Sequence, residues 1–395
     1  MRKILDRCLI LAVLCVPDAT HAQAADRALP TGWEWFGLPA LNYNTDEGFG
    51  YGVLAELYNY GSGLAPYKYT IQPTIFLTTK GRRDVVLLFD APHVLPNGWR
   101  FAITAAREQQ LANPYYGIGN STVYDSTLER APNPYYYRFE KVQVRLVADV
   151  QHSIGASPAR MLFGAGIADV RTDATPFDSG TTLLATQLGG AAAPKGRVGF
   201  VRAGVVWDTR DREIGPSSGT WADFLVQRAD GAFGATNSFT RVTATVRHYV
   251  PVRSNLILAV RVLAQQATGD VPLYELTNLQ SSYKSQDGLG GEKSLRGIAK
   301  NRFAGKGVVL ENTELRWRFK QFSLYGKTVS LIASGFLDAG RVWAEAIKAG
   351  EIVKDLHAGY GGGLRIGLGP SFVIATDLGL SSASTQLYVG VGYLF

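Results

Sequence analysis

The residues whose types and spacing could do chemistry are charges set into alternating, otherwise apolar runs. In GGEKSLRGIAKNRFAGKGVVLENTELRWRF, residues 290–319, Glu314, Arg316 and Arg318 fall on one face of a period-2 segment, and Leu315, Trp317 and Phe319 on the other. A soluble strand hides its apolar face, so this arrangement calls for a wet interior and a greasy exterior. Bond-making sets are absent from the pattern. His93, His152, His248 and His357 are scattered over different segments without ligand spacing, so no metal and no cofactor are expected. Gln151–Ser153 reads QHS, which could evoke a nucleophile beside a base. Neighbouring strand residues point to opposite faces, however, so His152 and Ser153 cannot readily meet, and no catalytic residue is assigned. The Gly-rich stretches YYGIGN and GYGGGL open no helix, which argues against a phosphate cradle. The aromatic segment NPYYGIGN…NPYYYRF fits an interfacial girdle and a loop fold better than a ligand site.

The elements that carry these charges are strands. Alternation predicts sixteen, at 33–45, 48–60, 67–79, 84–94, 99–110, 135–152, 160–172, 196–209, 220–229, 238–250, 256–268, 307–320, 328–343, 356–368, 371–380 and 385–395. Most are long enough to cross a hydrocarbon layer as tilted strands. Segment 135–152 repeats the pattern, with Lys141, Gln143, Arg145 and Asp149 opposite Val142, Val144, Leu146 and Val150. An Arg or Lys facing lipid at mid-depth costs about 2–4 kcal/mol, so the register is strongly fixed. Short connections follow even-numbered strands, whereas the long ones, 111–134, 173–195, 269–306 and 344–355, follow odd-numbered strands. That asymmetry predicts an all-β, sixteen-stranded antiparallel transmembrane β-barrel of the outer membrane, with both termini and the short turns in the periplasm. An even count closes the sheet and leaves no unpaired edge in lipid.

Composition agrees. Gly at 44, Tyr at 19, Phe at 18 and Trp at 7, with no run of 18 apolar residues, suit aromatic girdles and crowded strands rather than helical spans. Residues 1–24 read as a signal peptide: Arg2, Lys3 and Arg7, then an apolar run from Cys8 to Val16, then Ala22 and Ala24. Residues 25–395 are then the barrel, and both cysteines, Cys8 and Cys15, leave with the signal. The formal charge of +7 is spread along the chain, which excludes a nucleic-acid footprint. The last residues, QLYVGVGYLF, place Leu387, Val389, Val391, Tyr393 and Phe395 on one face, and Gln386, Tyr388, Gly390, Gly392 and Leu394 on the other. A terminal aromatic on an outward apolar face resembles the tag that Gram-negative outer-membrane proteins present to their assembly machinery, with Tyr393 and Phe395 as the signal.

Three motifs resemble the BamA/TamA outer-membrane superfamily of the bacterial surface antigen type, whose members insert or translocate proteins. LRGI, Leu295–Ile298, is similar to the V-R-G-F/Y signature of the loop after the eleventh strand. FLDAGRVW, Phe336–Trp343, resembles the thirteenth-strand F-x-D-x-G motif, and VVWDTRDREIGPSSGTWADF, Val205–Phe224, the eighth strand with its D-x-R-D turn. GFGYG, Gly48–Gly52, is a weaker match in the first half. The resemblance implies that loop 269–306 folds into the lumen and that Arg296 pairs with Asp338, with Glu314 a second partner and Gly297 letting the backbone approach the wall. Ile298 stands where the family has an aromatic, which predicts a less firmly packed loop tip. The resemblance further implies a lateral seam between the first and last strands. Pro39 removes a ladder donor there, and Gly390 and Gly392 offer bend points.

About eight residues separate the predicted cleavage site from the first strand, so a barrel without its own periplasmic domains is expected. The function expected is insertion or translocation of proteins, or of lipids, at the outer membrane. The alternative is a passive pore or surface-exposed structural barrel without transport activity. Partners expected are outer-membrane lipids and lipopolysaccharide, the barrel assembly machinery during biogenesis, and a periplasmic partner that supplies the missing domains.

Overall fold

The computed structural model describes residues 31–395 apart from 45–46, 65, 178–179, 214, 283–284, 325–326 and 369–371. The signal segment, residues 1–24, lies outside the described residues. Sixteen strands form one closed antiparallel barrel. They are β1 (Gly32–Asn44), β2 (Gly48–Gly61), β3 (Tyr69–Thr78), β4 (Arg82–Ala91), β5 (Trp99–Pro114), β6 (Arg138–Ser153), β7 (Ala159–Asp173) and β8 (Lys195–Asp208), then β9 (Gly219–Ala229), β10 (Phe239–Arg253), β11 (Leu256–Gly269), β12 (Gly307–Leu324), β13 (Lys327–Trp343), β14 (His357–Leu368), β15 (Phe372–Leu380) and β16 (Thr385–Val391). Each pairs with its chain neighbours, and β16 returns to β1.

The two faces divide as alternation demands. Leu315, Trp317 and Phe319 stand exposed on the outer wall of β12, while Glu314 is 0% and Arg316 3% exposed on the inner side. On β6, Val144 and Leu146 are exposed, whereas Asp149 faces inward to pair with Arg202. Arg318, opposite Ile332, keeps the register of Glu314 and Arg316 and, near the end of the wall, donates to the Ser254 carbonyl at the adjoining turn (2.9 Å); the β12–β13 register shifts only after it, before Lys320.

The seam is short. β1 runs alongside β2 over its whole length, yet among the described residues only Tyr43↔Val389 and Asn44↔Tyr388 register β1 against β16. The last strand stops at Val391, four residues earlier than alternation predicts. Gly392 adopts a φ of 91°, in the left-handed region that side chains disfavour, and turns the chain into the lumen. Tyr393 and Phe395 therefore do not continue the lipid-facing row of Leu387, Val389 and Val391. Phe395 is 7% exposed and packs on Tyr249, its carbonyl oxygen accepts from Arg316 Nη2 (3.1 Å), and the Arg316 guanidinium lies 4.3 Å from the Tyr393 ring. Strand periodicity could not foresee this, because a single positive-φ residue ends the period.

Candidate functional site in the barrel lumen

Loop 269–306 folds into the lumen and occupies part of it. Its first part is fixed by polar contacts from one wall: Lys141 Nζ donates to the Tyr274 carbonyl (3.2 Å), Arg241 Nη2 to Glu275 (2.9 Å), and Arg202 Nη1 to the Ser281 carbonyl (3.2 Å). A two-residue hairpin, Asn278–Leu279 with Gln286–Asp287, follows. The tip then crosses to the opposite wall. Leu295 and Ile298 are buried in one apolar cluster with Leu279, Leu289, Phe303, Leu310 and Val342. The less firm packing expected of Ile298 is therefore not found: its aliphatic side chain, 5% exposed, completes that cluster.

Arg296 sits at the centre of a charged network. Its Nε donates to Asp338 Oδ2 (2.8 Å) and its Nη2 to Asp338 Oδ1 (3.0 Å), a two-pronged grip, and its backbone N–H adds a third bond to Oδ2 (3.0 Å). Nη1 reaches Glu314 Oε2 (2.8 Å) and Asp377 Oδ2 (3.2 Å). The guanidinium also lies 3.5 Å from the centre of the Phe336 ring. Arg296, Glu314 and Asp338 are all 0% exposed. Arg365 and Arg316 complete the set. Arg365 Nη1 donates to Asp377 Oδ1 (2.6 Å) and Arg316 Nε to Glu314 Oε1 (2.9 Å). Three guanidinium groups thus face three carboxylates. Such burial is tolerable because each charge meets an opposite charge and a directed hydrogen bond.

The wall is shaped to admit the loop. Gly297 takes a φ of 87°; its N–H donates to the Tyr388 hydroxyl (3.2 Å), and its carbonyl accepts from Ser381 Oγ (2.7 Å) and Ser384 Oγ (2.8 Å). A side chain at Gly359 on β14 would place its first carbon 1.8 Å from the Arg296 carbonyl oxygen. Gly359→Val is therefore expected to expel the loop tip. The measurement is limited proteolysis of loop 269–306 in the folded barrel, and protection equal to the parent would refute the close fit.

Of the residues singled out in the sequence, Arg296, Gly297, Glu314 and Asp338 come together here. Gly390 faces the lumen beside Glu292, whose Oε1 would be 2.9 Å from a side-chain carbon placed there. Pro39 lies in β1 opposite Val53 of β2, on the strand that forms one side of the seam. Asp377 and Arg365 join the site although no motif marks them, and Tyr388, placed by alternation on the inner face of the last strand, joins them. Their signal is parity, which puts Arg365 and Asp377 on the lumen side of β14 and β15, in segments read only as strands. Of the tyrosines in and just after loop 111–134, Tyr115, Tyr116 and Tyr137 are buried in a loop fold, with the Tyr116 and Tyr137 ring centres 5.1 Å apart, whereas Tyr124 and Tyr135 are exposed.

A second set of charges ties the loop to the first hairpin. Lys300 Nζ donates to Glu47 Oε1 (2.6 Å) and pairs with Asp287 (3.1 Å), while Arg82 Nη1 donates to both Glu47 oxygens (2.9 and 2.8 Å). Burial alone would raise the Glu47 carboxyl, but Arg82 and Lys300 outweigh it and hold the group well below the ordinary value of 4.5. A depressed carboxylate stabilises the fold above its unfolded value, and that stabilisation is lost as pH falls through the folded value. Protease resistance of loop 269–306 is therefore expected to stay flat from about pH 8 to 5 and to weaken only in stronger acid. Loss of protection near pH 6 would contradict this assignment.

Beside the loop the lumen keeps a cavity of about 600 Å³ that runs from Arg100, Arg160, Glu213 and the tail residues Tyr393–Phe395 at the short-turn end to Arg82 and Gln110 towards the long loops. Glu213, in the β8–β9 turn, reaches Arg100 across it (2.6 Å).

A closed sixteen-stranded sheet with an apolar exterior and a lumen occupied by its own loop defines the class: an outer-membrane β-barrel plugged from within. The Omp85 superfamily domain matches residues 98–386, and the chain belongs to that superfamily. Among solved structures it is similar to BamA from Haemophilus ducreyi lacking POTRA domains 1–3, with a TM-score of 0.56, 14% identity, and 92% of this chain and 71% of that one covered. It is also similar to CdiB from Escherichia coli, with a TM-score of 0.56, 12% identity, and 92% and 64% covered. At these identities the likeness is one of fold. Compared by sequence with curated proteins, the chain has no match.

Proposed function

We propose that this barrel inserts or translocates polypeptide at the outer membrane, or lipid by the same route, with loop 269–306 held inside by Arg296 and the β1–β16 seam as the working element. The observation that supports the reading is the pairing of a loop folded into the lumen, with Arg296 bonded to Asp338, with a seam registered by Tyr43↔Val389 and Asn44↔Tyr388. A loop folded into the bore narrows it against free permeation, and a weakly paired seam is the least costly place for a sealed sheet to open, since backbone bonds unmade in lipid are otherwise expensive. BamA and CdiB share the fold, and family membership supports a role in protein insertion or secretion rather than catalysis. We further propose that the long loops face outward and both termini lie in the periplasm. The same reading casts Tyr393 and Phe395 as the assembly signal in biogenesis, read before the tail folds into the lumen. The assembly machinery is then the partner during biogenesis, and a periplasmic protein the partner that gathers cargo.

Depletion followed by a census of outer-membrane proteins and lipid asymmetry tests the function. A selective fall in a set of outer-membrane proteins, or a shift in lipid asymmetry, is expected. A passive pore would instead give an unchanged census together with steady single-channel steps, where the plugged lumen predicts small and irregular conductance.

A further inference from the structure

Among the described residues, the outer wall carries an arc of exposed basic residues near the ends joined by long loops, running from β4 to β8 and continued by Arg228 on β9, which pairs with Asp230. Arg83 on β4, Arg107 on β5, Arg171 on β7, and Lys195 and Arg197 on β8 are all exposed on the lipid-facing side. The ladder sets their arrangement. One row reads Val85, Arg107, Val144, Asp169, Arg197 across β4 to β8, and the next reads Arg83, Gln109, Val142, Arg171, Lys195.

Depth fixes what surrounds them. A strand tilted near 45° gains about 2.4 Å of membrane depth per residue. Arg107 lies eight positions beyond Trp99, and Arg197 ten positions before Trp207, both tryptophans being exposed near the short-turn ends. That puts the guanidinium groups about 19–24 Å from the aromatic level, at the far edge of an apolar band about 25 Å tall. Arginine is costly in hydrocarbon but can reach the headgroup layer from such a position.

Internal pairing does not use up this charge. Asp169 stands between Arg171 (3.8 Å) and Arg197 (3.9 Å), a loose shared contact with both arginines more than half exposed. Arg83 and Arg107 have no carboxylate within salt-bridge distance among the described residues. Around the seam, the exposed lipid-facing side chains at the same ends of β1 and β2 among the described residues are aromatic, Tyr43, Phe49 and Tyr51. A general need for interfacial charge would not favour one wall, so the arc selects a particular neighbour.

We propose that the β4–β8 arc is a docking surface for a phosphorylated glycolipid of the outer leaflet, its phosphate groups gripped by Arg83 and Arg107 on one side and by Arg171, Lys195 and Arg197 on the other. Guanidinium groups bond phosphate through paired N–H donors, which suits this ligand over a zwitterionic headgroup. The two subclusters are separated by three strand spacings, about 14 Å, a span suited to a disaccharide bearing phosphates at its ends. Occupancy there would anchor the wall remote from the seam and leave the β1–β16 side free of tightly held lipid. The proposal rests on the outward orientation of the long loops.

The test is native mass spectrometry of the detergent-purified barrel with diphosphoryl lipid A, monophosphoryl lipid A, phosphate-free lipid A and phosphatidylglycerol. Binding is expected to fall from diphosphoryl to monophosphoryl to phosphate-free lipid A, and phosphatidylglycerol, with its single phosphodiester, is expected to bind weakly. The variant carrying R83Q, R107Q, R171Q and R197Q is expected to lose about tenfold or more in affinity for diphosphoryl lipid A while keeping its heat-modifiable gel mobility. Should that variant fail to fold, the pairs R83Q/R107Q and R171Q/R197Q each carry the test, with a smaller loss expected. Unchanged affinity in the folded variants, or equal binding of phosphate-free lipid A or phosphatidylglycerol, overturns the proposal. Labelling of a cysteine placed in loop 111–134 on intact cells reads the orientation separately, so a wrong orientation is distinguishable from a wrong ligand.

Discussion

Arg296→Ala is expected to destabilise the folded barrel by about 3–5 kcal/mol and to free loop 269–306 for proteolysis. The magnitude follows from what the change leaves behind. Asp338 would keep its place on β13 with both oxygens stripped of the guanidinium that now holds them at 2.8 and 3.0 Å, and Glu314 would lose one of its cationic partners. Both carboxylates are fully enclosed, so water cannot replace the lost donors without opening the loop. Arg296→Lys is expected to fall between parent and alanine, because an ammonium keeps the charge but not the planar two-pronged fit to Asp338. Heat-modifiable mobility in gels and trypsin sensitivity of the loop are the measurements. An alanine variant as heat-resistant and protease-resistant as the parent would falsify the lock.

Joining the seam through Tyr43→Cys and Val389→Cys is expected to abolish function while leaving assembly intact. These residues are register partners on β1 and β16, and directly opposed strand residues have Cα separations of about 4.5–5.5 Å, within the range a disulfide spans. Cys8 and Cys15 are the chain's other cysteines, and both lie before β1, so the engineered pair is the only pair of thiols in the described strands. Cells carrying the oxidised variant should show the same outer-membrane proteome as depleted cells, and reductant should restore it. Full activity with the cross-link in place would sink the proposed role of the seam without touching the lumen geometry, which Arg296→Ala probes independently.

Much of this was legible from residue order. The alternation of Glu314 and Arg316 against Leu315 and Trp317 stated which side of β12 is wet, and the same rule placed nearly every strand within a few residues of its observed limits. Failures came where one local event breaks the period. Gly392 redirects the tail, so Tyr393 and Phe395 leave the lipid face, and an irregularity between Arg318 and Lys320 breaks the β12–β13 register. The network was half legible. Arg296 and Asp338 stand in motifs, whereas Asp377 and Arg365 join them only because β14 and β15 pass beside the folded loop.

The sequence by itself determined the sixteen spanning strands, their closure, and the division between inner and outer faces. These follow from a period-2 pattern under the demand that lipid-exposed backbone be fully paired and lipid-facing side chains be apolar. Only the tertiary structure decided how the loop crosses the bore, which carboxylates Arg296 meets, how little of β1 registers against β16, and where separate strands bring arginines into one arc on the outer wall. Those are contacts between residues far apart in the chain, and their geometry depends on register and loop path, which no local spacing encodes.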